Sequence, residues 1–260
     1  MMESYIEYLG EWLKEELIYR QANHFVFGMS GGVDSAVVAF LLAKFFPEHS
    51  LGVMMPSHSH PQDLLDGELV MEACALPSLT VDLTETHRTL LNAIEASGRE
   101  YIEHFDEERT RVLYGNMSAR LRMATLYTIA QAKNSIVVGT DNAVEWHTGY
   151  FTKFGDGGVD IMPLFHLNKD EVYEMAHLLA VPEKIIQKKP SAGLWEAQTD
   201  EEEMGTTYAM LNKVLRGEVV PEKDREVIAF WHERSRHKRA LPRTPKAYYQ
   251  KSENRITSKR

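Results

Sequence analysis

Phe25-Val-Phe-Gly-Met-Ser-Gly-Gly-Val-Asp-Ser-Ala-Val-Val38 is the stretch that decides the fold. His24 to Met29 is a short aromatic and β-branched run, the composition of a buried strand. Ser30, Gly31 and Gly32 turn the chain, and Val33 to Phe46 reads as a helix stopped by Pro47. A strand feeding a glycine turn and a helix brings backbone amides and the positive end of a helix dipole to one point, which is an anion site. The glycines let backbone approach a phosphate closely, and Ser30 and Ser35 add hydroxyl donors. Asp34 would repel a phosphate by itself. It fits as a Mg²⁺ ligand, since Mg²⁺ is usually held by one or two carboxylates together with phosphates. The lysine of a Walker A loop is absent.

Outward from this loop, strand-like and helix-like runs alternate. Tyr5 to Arg20 is an amphipathic helix. Ser50 to Met55, Ser78 to Leu83 and Ser135 to Gly139 read as strands, and Pro61 to Ala75, Thr84 to Ser97 and Glu107 to Lys133 as helices. Leu167 to Leu179 and Thr199 to Arg216 are expected as further helices. Gly149, Gly155, Gly157 and Gly158 fall in an ordered loop between Thr140 and Asp160. The alternation predicts a doubly wound, mostly parallel α/β sheet flanked by helices, one domain over residues 1–260.

The chain is 43% hydrophobic and 26% charged, a globular profile. Cys74 is the single cysteine, which excludes an intramolecular disulfide and a cysteine-based zinc cluster; its apolar helical surroundings predict a core thiol. The amino terminus has neither a basic region nor an unbroken apolar one, and no stretch approaches the ~18 apolar residues of a membrane span, so a cytoplasmic protein with no membrane partner is expected. The net charge of −9 is uneven: the segment 234–260 holds ten Lys or Arg and only Glu253 as an acid. Such a tail can bind nucleic acid, dock on its own body or meet a phosphorylated ligand, and composition does not choose among them.

The loop resembles the SGGxDS pyrophosphate loop of the ATP pyrophosphatase family, whose members cleave between the α and β phosphates of ATP and adenylate a substrate. Asn116-Met-Ser-Ala-Arg-Leu-Arg-Met123, Val138-Gly-Thr-Asp-Asn-Ala-Val-Glu145 and Thr148-Gly-Tyr-Phe-Thr-Lys-Phe-Gly-Asp-Gly-Gly-Val-Asp160 follow. With Pro190-Ser-Ala-Gly-Leu-Trp195, Gln198-Thr-Asp-Glu201 and Arg236-His-Lys-Arg239, they are similar in order and spacing to the signature blocks of ammonia-dependent NAD synthetases.

That resemblance, from about Gly28 to Arg239, implies an adenine nucleotide alpha hydrolase-like fold. It implies that Gly28, Met29, Ser30, Gly31, Gly32, Val33, Asp34 and Ser35 bind ATP together with Thr140, Lys169 and Ser191. Asp34 and Glu145 are implied as Mg²⁺ ligands, and Arg120, Lys153, Asp160, His237 and Lys238 as contacts to deamido-NAD. The implied reaction adenylates the nicotinate carboxylate of deamido-NAD, releases pyrophosphate, and lets ammonia displace AMP. A homodimer is implied, with the helix 107–133 at the interface, and no nucleic acid partner.

Asp156 is a candidate to orient ammonia or take its proton, although aspartate is also a common turn former. Only 27 residues precede Gly28 and none is cysteine, so free ammonia or a separate donor protein is expected to supply the nitrogen. The sequence departs from the family after the second strand, where Met54-Met-Pro-Ser-His58 lacks an ATP-facing arginine that many members carry; Gln62 stands near the place of a glutamine beyond it. The loop alone also admits a tRNA-modifying ligase or a nucleotide-binding regulator. The Thr-Lys-Phe-Gly-Asp-Gly-Gly block argues against the first, and the pairing of Asp34 with Glu145 against the second.

Overall fold

The computed structural model describes residues 1–98, 107–189 and 200–245. Four strands, β1 (His24–Gly28), β2 (Ser50–Met54), β3 (Ser78–Thr80) and β4 (Ser135–Val138), form a parallel sheet in the order β3-β2-β1-β4. Phe27 lies opposite Gly52 on one side and Val138 on the other. Parallel neighbours need crossovers, and helices supply them. Those described are α1 (Met2–Arg20), α2 (Val33–Phe45), α3 (Pro61–Cys74), α4 (Thr84–Gly98), α5 (Glu107–Lys133), α6 (Ala143–Thr148), α7 (Lys169–Leu178), α8 (Glu183–Ile186), α9 (Asp200–Met204), α10 (Tyr208–Leu215) and α11 (Glu222–Arg234).

Successive strand side chains point to opposite faces, and both faces are covered. Phe25 and Phe27 enter a core with Leu41 and Leu42 of α2, Leu13 of α1 and Met175 of α7. Val26 faces the other way, packing with Val53, Val137 and the α5 residues Leu126 and Ala130. Each such fully buried side chain contributes about 1.5–3 kcal/mol. The expected doubly wound sheet is therefore present. Because β2 and β4 flank β1 on opposite sides, the strand order reverses between β1 and β4. Ligands of open α/β sheets bind at the carboxyl ends of strands beside such a reversal.

A third cluster joins Val144 of α6, Met204 of α9, Tyr208 and Leu211 of α10, and Ile228 of α11. Here the sequence reading needs correction. The expected helix from Thr199 to Arg216 is two helices, because Gly205 takes φ +73° and Thr207 starts α10 by accepting from Met210 N at 3.3 Å. Leu167 precedes α7, whose entry is fixed by Asn168 N donating to Glu171 at 2.7 Å. α6, α8 and α11 are additions to the elements expected from periodicity. Cys74 is half-buried against the first core instead of within it, and burial pushes its thiol pKa up.

Candidate active site

A cavity of about 1290 Å³ opens at the carboxyl ends of β1 and β4, lined among others by Gly28, Ser30, Gly139 and Thr140. At its floor the loop after β1 is held by its own hydroxyls. Ser30 Oγ and Ser35 Oγ lie 3.0 Å apart, Gly32 N donates to Ser30 Oγ at 3.3 Å, and Ser35 Oγ donates to Gly32 O at 3.0 Å. The first turn of α2 has no side-chain cap, and its opening residues Val33, Asp34 and Ser35 line the cavity. Gly28, Met29, Ser30, Gly32, Val33, Asp34 and Ser35 line it, as expected; Gly31 does not.

Charge converges beside the loop. Lys169, 3% exposed at the start of α7, places Nζ 2.6 Å from Asp34 Oδ2 and 3.6 Å from Glu145 Oε1. Asn142 organises the same point: its Nδ2 donates to Asp34 Oδ1 at 2.9 Å and its side chain caps α6, while Glu145 Oε2 accepts from Asn142 N at 3.0 Å. Desolvation and then the neighbouring Asp34 push the Glu145 pKa up to about 8, against the pull of Lys169. Burial lowers the pKa of Lys169, but Asp34 and Glu145 outweigh it and raise it. When both carboxylates are ionised they face one ammonium, and the unmatched negative charge suits a divalent cation. Among the described residues no group of three or more metal-binding side chains exists. Asp34 and Glu145 are two carboxylates at one point of the cavity, a donor set that suits Mg²⁺.

The cavity also carries Asp141 and Arg122, which are outside the expected site residues, beside Asp156, which is among them. Asp141 is 6% exposed, lines the cavity, and its Oδ2 has no hydrogen-bond partner. Burial, then Asp156, Glu145 and Asp34, raise its pKa well above the usual carboxylate range. Asp156 accepts from Thr152 N at 2.8 Å, and burial raises its pKa too, against Lys238 and Arg122. Arg122 lines the cavity and donates to Met55 O and Ser59 Oγ, each at 3.0 Å. The arginine-free loop after β2 is thus tied to α5, and Met54 is buried in the core.

The deamido-NAD candidates divide. His237 and Lys238 line the cavity. Lys238 Nζ donates to Gly149 O at 2.7 Å and Phe151 O at 2.5 Å, while Arg239 reaches Trp146 O and His147 O at 3.3 and 3.1 Å. The start of the basic segment docks on its own body. Arg120 and Lys153 lie outside the lining: Arg120 is exposed and donates to Lys153 O at 3.4 Å, and Lys153 Nζ donates to His237 O at 2.6 Å. Asp160 also lies outside it. Its carboxylate accepts from Val137 N at 2.9 Å and Tyr127 OH at 3.3 Å, which ties the chain to β4. Ser191 lies outside the described residues. Asp141 escapes a sequence reading because its burial is a tertiary property; the capping box Asn142-Ala-Val-Glu145 is the local signal that marks α6.

Fold and site together define a parallel α/β protein with a glycine turn and a buried Lys169–Asp34–Glu145 cluster at the carboxyl ends of its strands. Residues 5–242 match the NAD synthase family. The NH₃-dependent NAD⁺ synthetase of Alkaliphilus metalliredigens is 50% identical, over 92% of this chain and 97% of that relative. Among solved structures, the NMN synthetase of Francisella tularensis superposes with a TM-score of 0.87 at 42% identity, covering 95% of this chain and 99% of that one. The NAD⁺ synthetase of Burkholderia pseudomallei gives a TM-score of 0.77 at 28% identity, covering 93% and 91%. The chain belongs to the NAD synthase family, and its relatives mark it as an ATP-dependent ligase.

Proposed function

We propose that the cavity binds ATP and deamido-NAD together, joins the nicotinate carboxylate to the α-phosphorus, and then passes the adenylate to ammonia. The observation that carries this reading is the convergence of Asp34, Glu145 and Lys169 on a serine-lined amide loop. Loop amides and Lys169 hold the leaving pyrophosphate, and Thr140 and Ser191 contact ATP. Asp34 and Glu145 hold Mg²⁺, which when bound neutralises phosphate charge. Catalysis is then positioning and electrostatics.

Ammonia becomes cationic as it adds to the adenylate carbonyl, and a nearby base must take a proton. Carboxylates with raised pKa are better bases than exposed ones. Asp156 is assigned that role, with Asp141 beside the same cavity. His237 and Lys238 cover the dinucleotide, Arg120 and Lys153 meet it at the rim, and Asp160 stays with β4. The test is ammonia- and ATP-dependent NAD formation from deamido-NAD, with AMP and pyrophosphate quantified. Absence of one AMP and one pyrophosphate per NAD overturns the scheme.

A second reading concerns the acceptor. The similarity to an NMN synthetase favours nicotinate mononucleotide, which carries the same carboxylate without the AMP half. Comparing kcat/KM for the two acceptors in the same assay decides between them.

The enzyme is proposed to be cytoplasmic and homodimeric. No described helix is long and apolar enough to cross a membrane. Leu90 and Ile94 of α4 and Val112 and Tyr114 of α5 are exposed, which supports an interface on these helices. Light scattering on the purified protein measures the mass directly.

A further inference from the structure

One charged cluster outside the proposed chemistry touches the phosphate loop directly. Lys188, just beyond α8, places Nζ 2.8 Å from Asp63 Oδ1 and 2.8 Å from Asp66 Oδ2, both on α3. The same Nζ donates to Gly31 O at 3.4 Å. Asp66 is buried and also takes Lys184 Nζ and Gln62 Nε2, each at 2.8 Å. Two lysines against two aspartates leave the cluster neutral, so it gives the cavity no net charge. Its effect on the loop is geometric.

The geometry passes through a single peptide unit. Gly31 has φ +78°, and a Cβ there would stand 2.6 Å from Asp63 O, so the loop is seated on α3 at a point only glycine allows. A trans peptide carries its carbonyl and its N–H on opposite sides. With the Gly31 carbonyl turned to Lys188, the Gly32 N–H points the other way, where it meets Ser30 Oγ at 3.3 Å. Ser30 and Gly32 line the cavity and Gly31 does not, in keeping with that orientation.

We propose that Lys188 is a positioning residue for ATP: held by Asp63 and Asp66, it fixes the Gly31 carbonyl, and with it the Gly32 N–H that holds the Ser30 hydroxyl at the cavity. The inference rests on the reading that residues 28–35 hold those phosphates. Lys188 itself lines the cavity, but Asp63 and Asp66 match its charge, so it contributes order here, while Lys169 contributes charge.

The experiment compares Lys188→Met, Lys188→Arg, Asp63→Asn and Ser35→Ala by steady-state kinetics, product inhibition and thermal unfolding. Lys188→Met is expected to raise the KM for ATP and the inhibition constant for pyrophosphate about tenfold, the scale of one missing hydrogen bond. The KM for deamido-NAD is expected to stay within about twofold, because Lys188 acts on the phosphate side alone. Lys188→Arg regains most of the loss, and Asp63→Asn shows a smaller loss of the same kind. A folded Lys188→Met protein with lowered Tm but unchanged KM for ATP overturns the proposal. If Lys188→Met does not fold, an unchanged KM for ATP in Asp63→Asn overturns it instead. Ser35→Ala separates the two readings. If it raises the KM for ATP while the Lys188 and Asp63 variants do not, this inference fails alone; if it too leaves that KM unchanged, the loop assignment fails.

Discussion

The Nζ of Lys169 lies 2.6 Å from Oδ2 of Asp34, although 135 residues separate them. The pair joins the start of α7 to the start of α2 beneath the phosphate loop, with Lys169 almost wholly buried. Removing one partner of a buried pair strands the other's charge, at a cost of about 3–5 kcal/mol. Lys169→Met leaves Asp34 and Glu145 facing each other and is expected to lower Tm sharply. Asp34→Asn keeps an acceptor for Asn142 and leaves Lys169 with Glu145, so that protein is expected to fold. Its kcat should fall about 100-fold, the scale of removing one electrostatic interaction with the transition state. A folded Asp34→Asn enzyme with wild-type turnover at limiting Mg²⁺ removes the metal assignment.

Glu145 gives the opposite balance of stability and activity. Its folded pKa of about 8 exceeds its ordinary 4.5, so the native state binds more protons than the unfolded chain between those values. Its contribution to stability is present below about pH 4.5 and is lost as pH rises toward 8. Glu145→Gln removes this loss and keeps an oxygen for Asn142 N. Thermal unfolding should show the variant gaining on the wild type from pH 5 to pH 8, while turnover falls about 100-fold. A relative gain that is absent over that range contradicts the charge balance described for the site.

The sheet, the loop and the first helix are legible in the sequence because their signals are local. Phe25 to Gly28 alternates between two cores, and glycines mark the turn where the chain must leave the strand. The roles of Arg120 and Arg122 are not legible there: both lie on α5 two residues apart, and only packing shows that Arg122 lines the cavity while Arg120 is exposed. Asp160 carries a family position, yet its carboxylate is taken up by Val137 N and Tyr127 OH. α11 gives little apolar signal because it is polar on most of its surface, with Ile228 its only buried residue.

His147 offers a stability switch at acid pH. Its ring stacks on His232 at 4.3 Å, with Arg239 bonded to its carbonyl. Burial, then His232 and Arg239, lower its pKa from 6.5 to about 4. Below pH 6.5 the unfolded chain takes up a proton that the folded one refuses, so stability falls as pH drops from 6.5 toward 4. His147→Gln should flatten that part of the profile. Equal losses of Tm in wild type and variant between pH 7 and pH 4.5 would remove His147 as the cause.

Two glycines with similar backbones should respond differently to alanine. Gly149 has φ +69°, and a Cβ there would lie 2.1 Å from Ser235 Cβ, at the turn into Arg236–Lys238. Gly217 has φ +74° with nothing within 4 Å. Gly217→Ala therefore meets backbone strain alone, about 1 kcal/mol. Gly149→Ala adds a clash that must push the docked segment away, and it is expected to raise the KM for deamido-NAD while Gly217→Ala does not. Equal kinetics in the two variants would mean that this docking has no part in substrate binding.

The sharpest prediction concerns where the working part of the basic tail ends. Lys238 and Arg239 spend their charges on the carbonyls of Trp146, His147, Gly149 and Phe151, so the segment is seated over the loop that leads to Asp156. An acidic body meeting an anionic dinucleotide needs local positive charge, and a seated segment supplies it while excluding water from the adenylate. Truncation before Arg236 should raise the KM for deamido-NAD at least about tenfold more than the KM for ATP, because it removes His237 and Lys238 from the cavity wall but leaves the phosphate loop intact. Truncation after Lys246 keeps all four carbonyl contacts and should leave both constants within about twofold. If the protein ending at Lys246 loses activity as severely as the one ending before Arg236, the functional boundary lies beyond Lys246. If neither truncation changes either constant but salt-dependent RNA binding disappears with the tail, the segment serves nucleic acid instead of the dinucleotide.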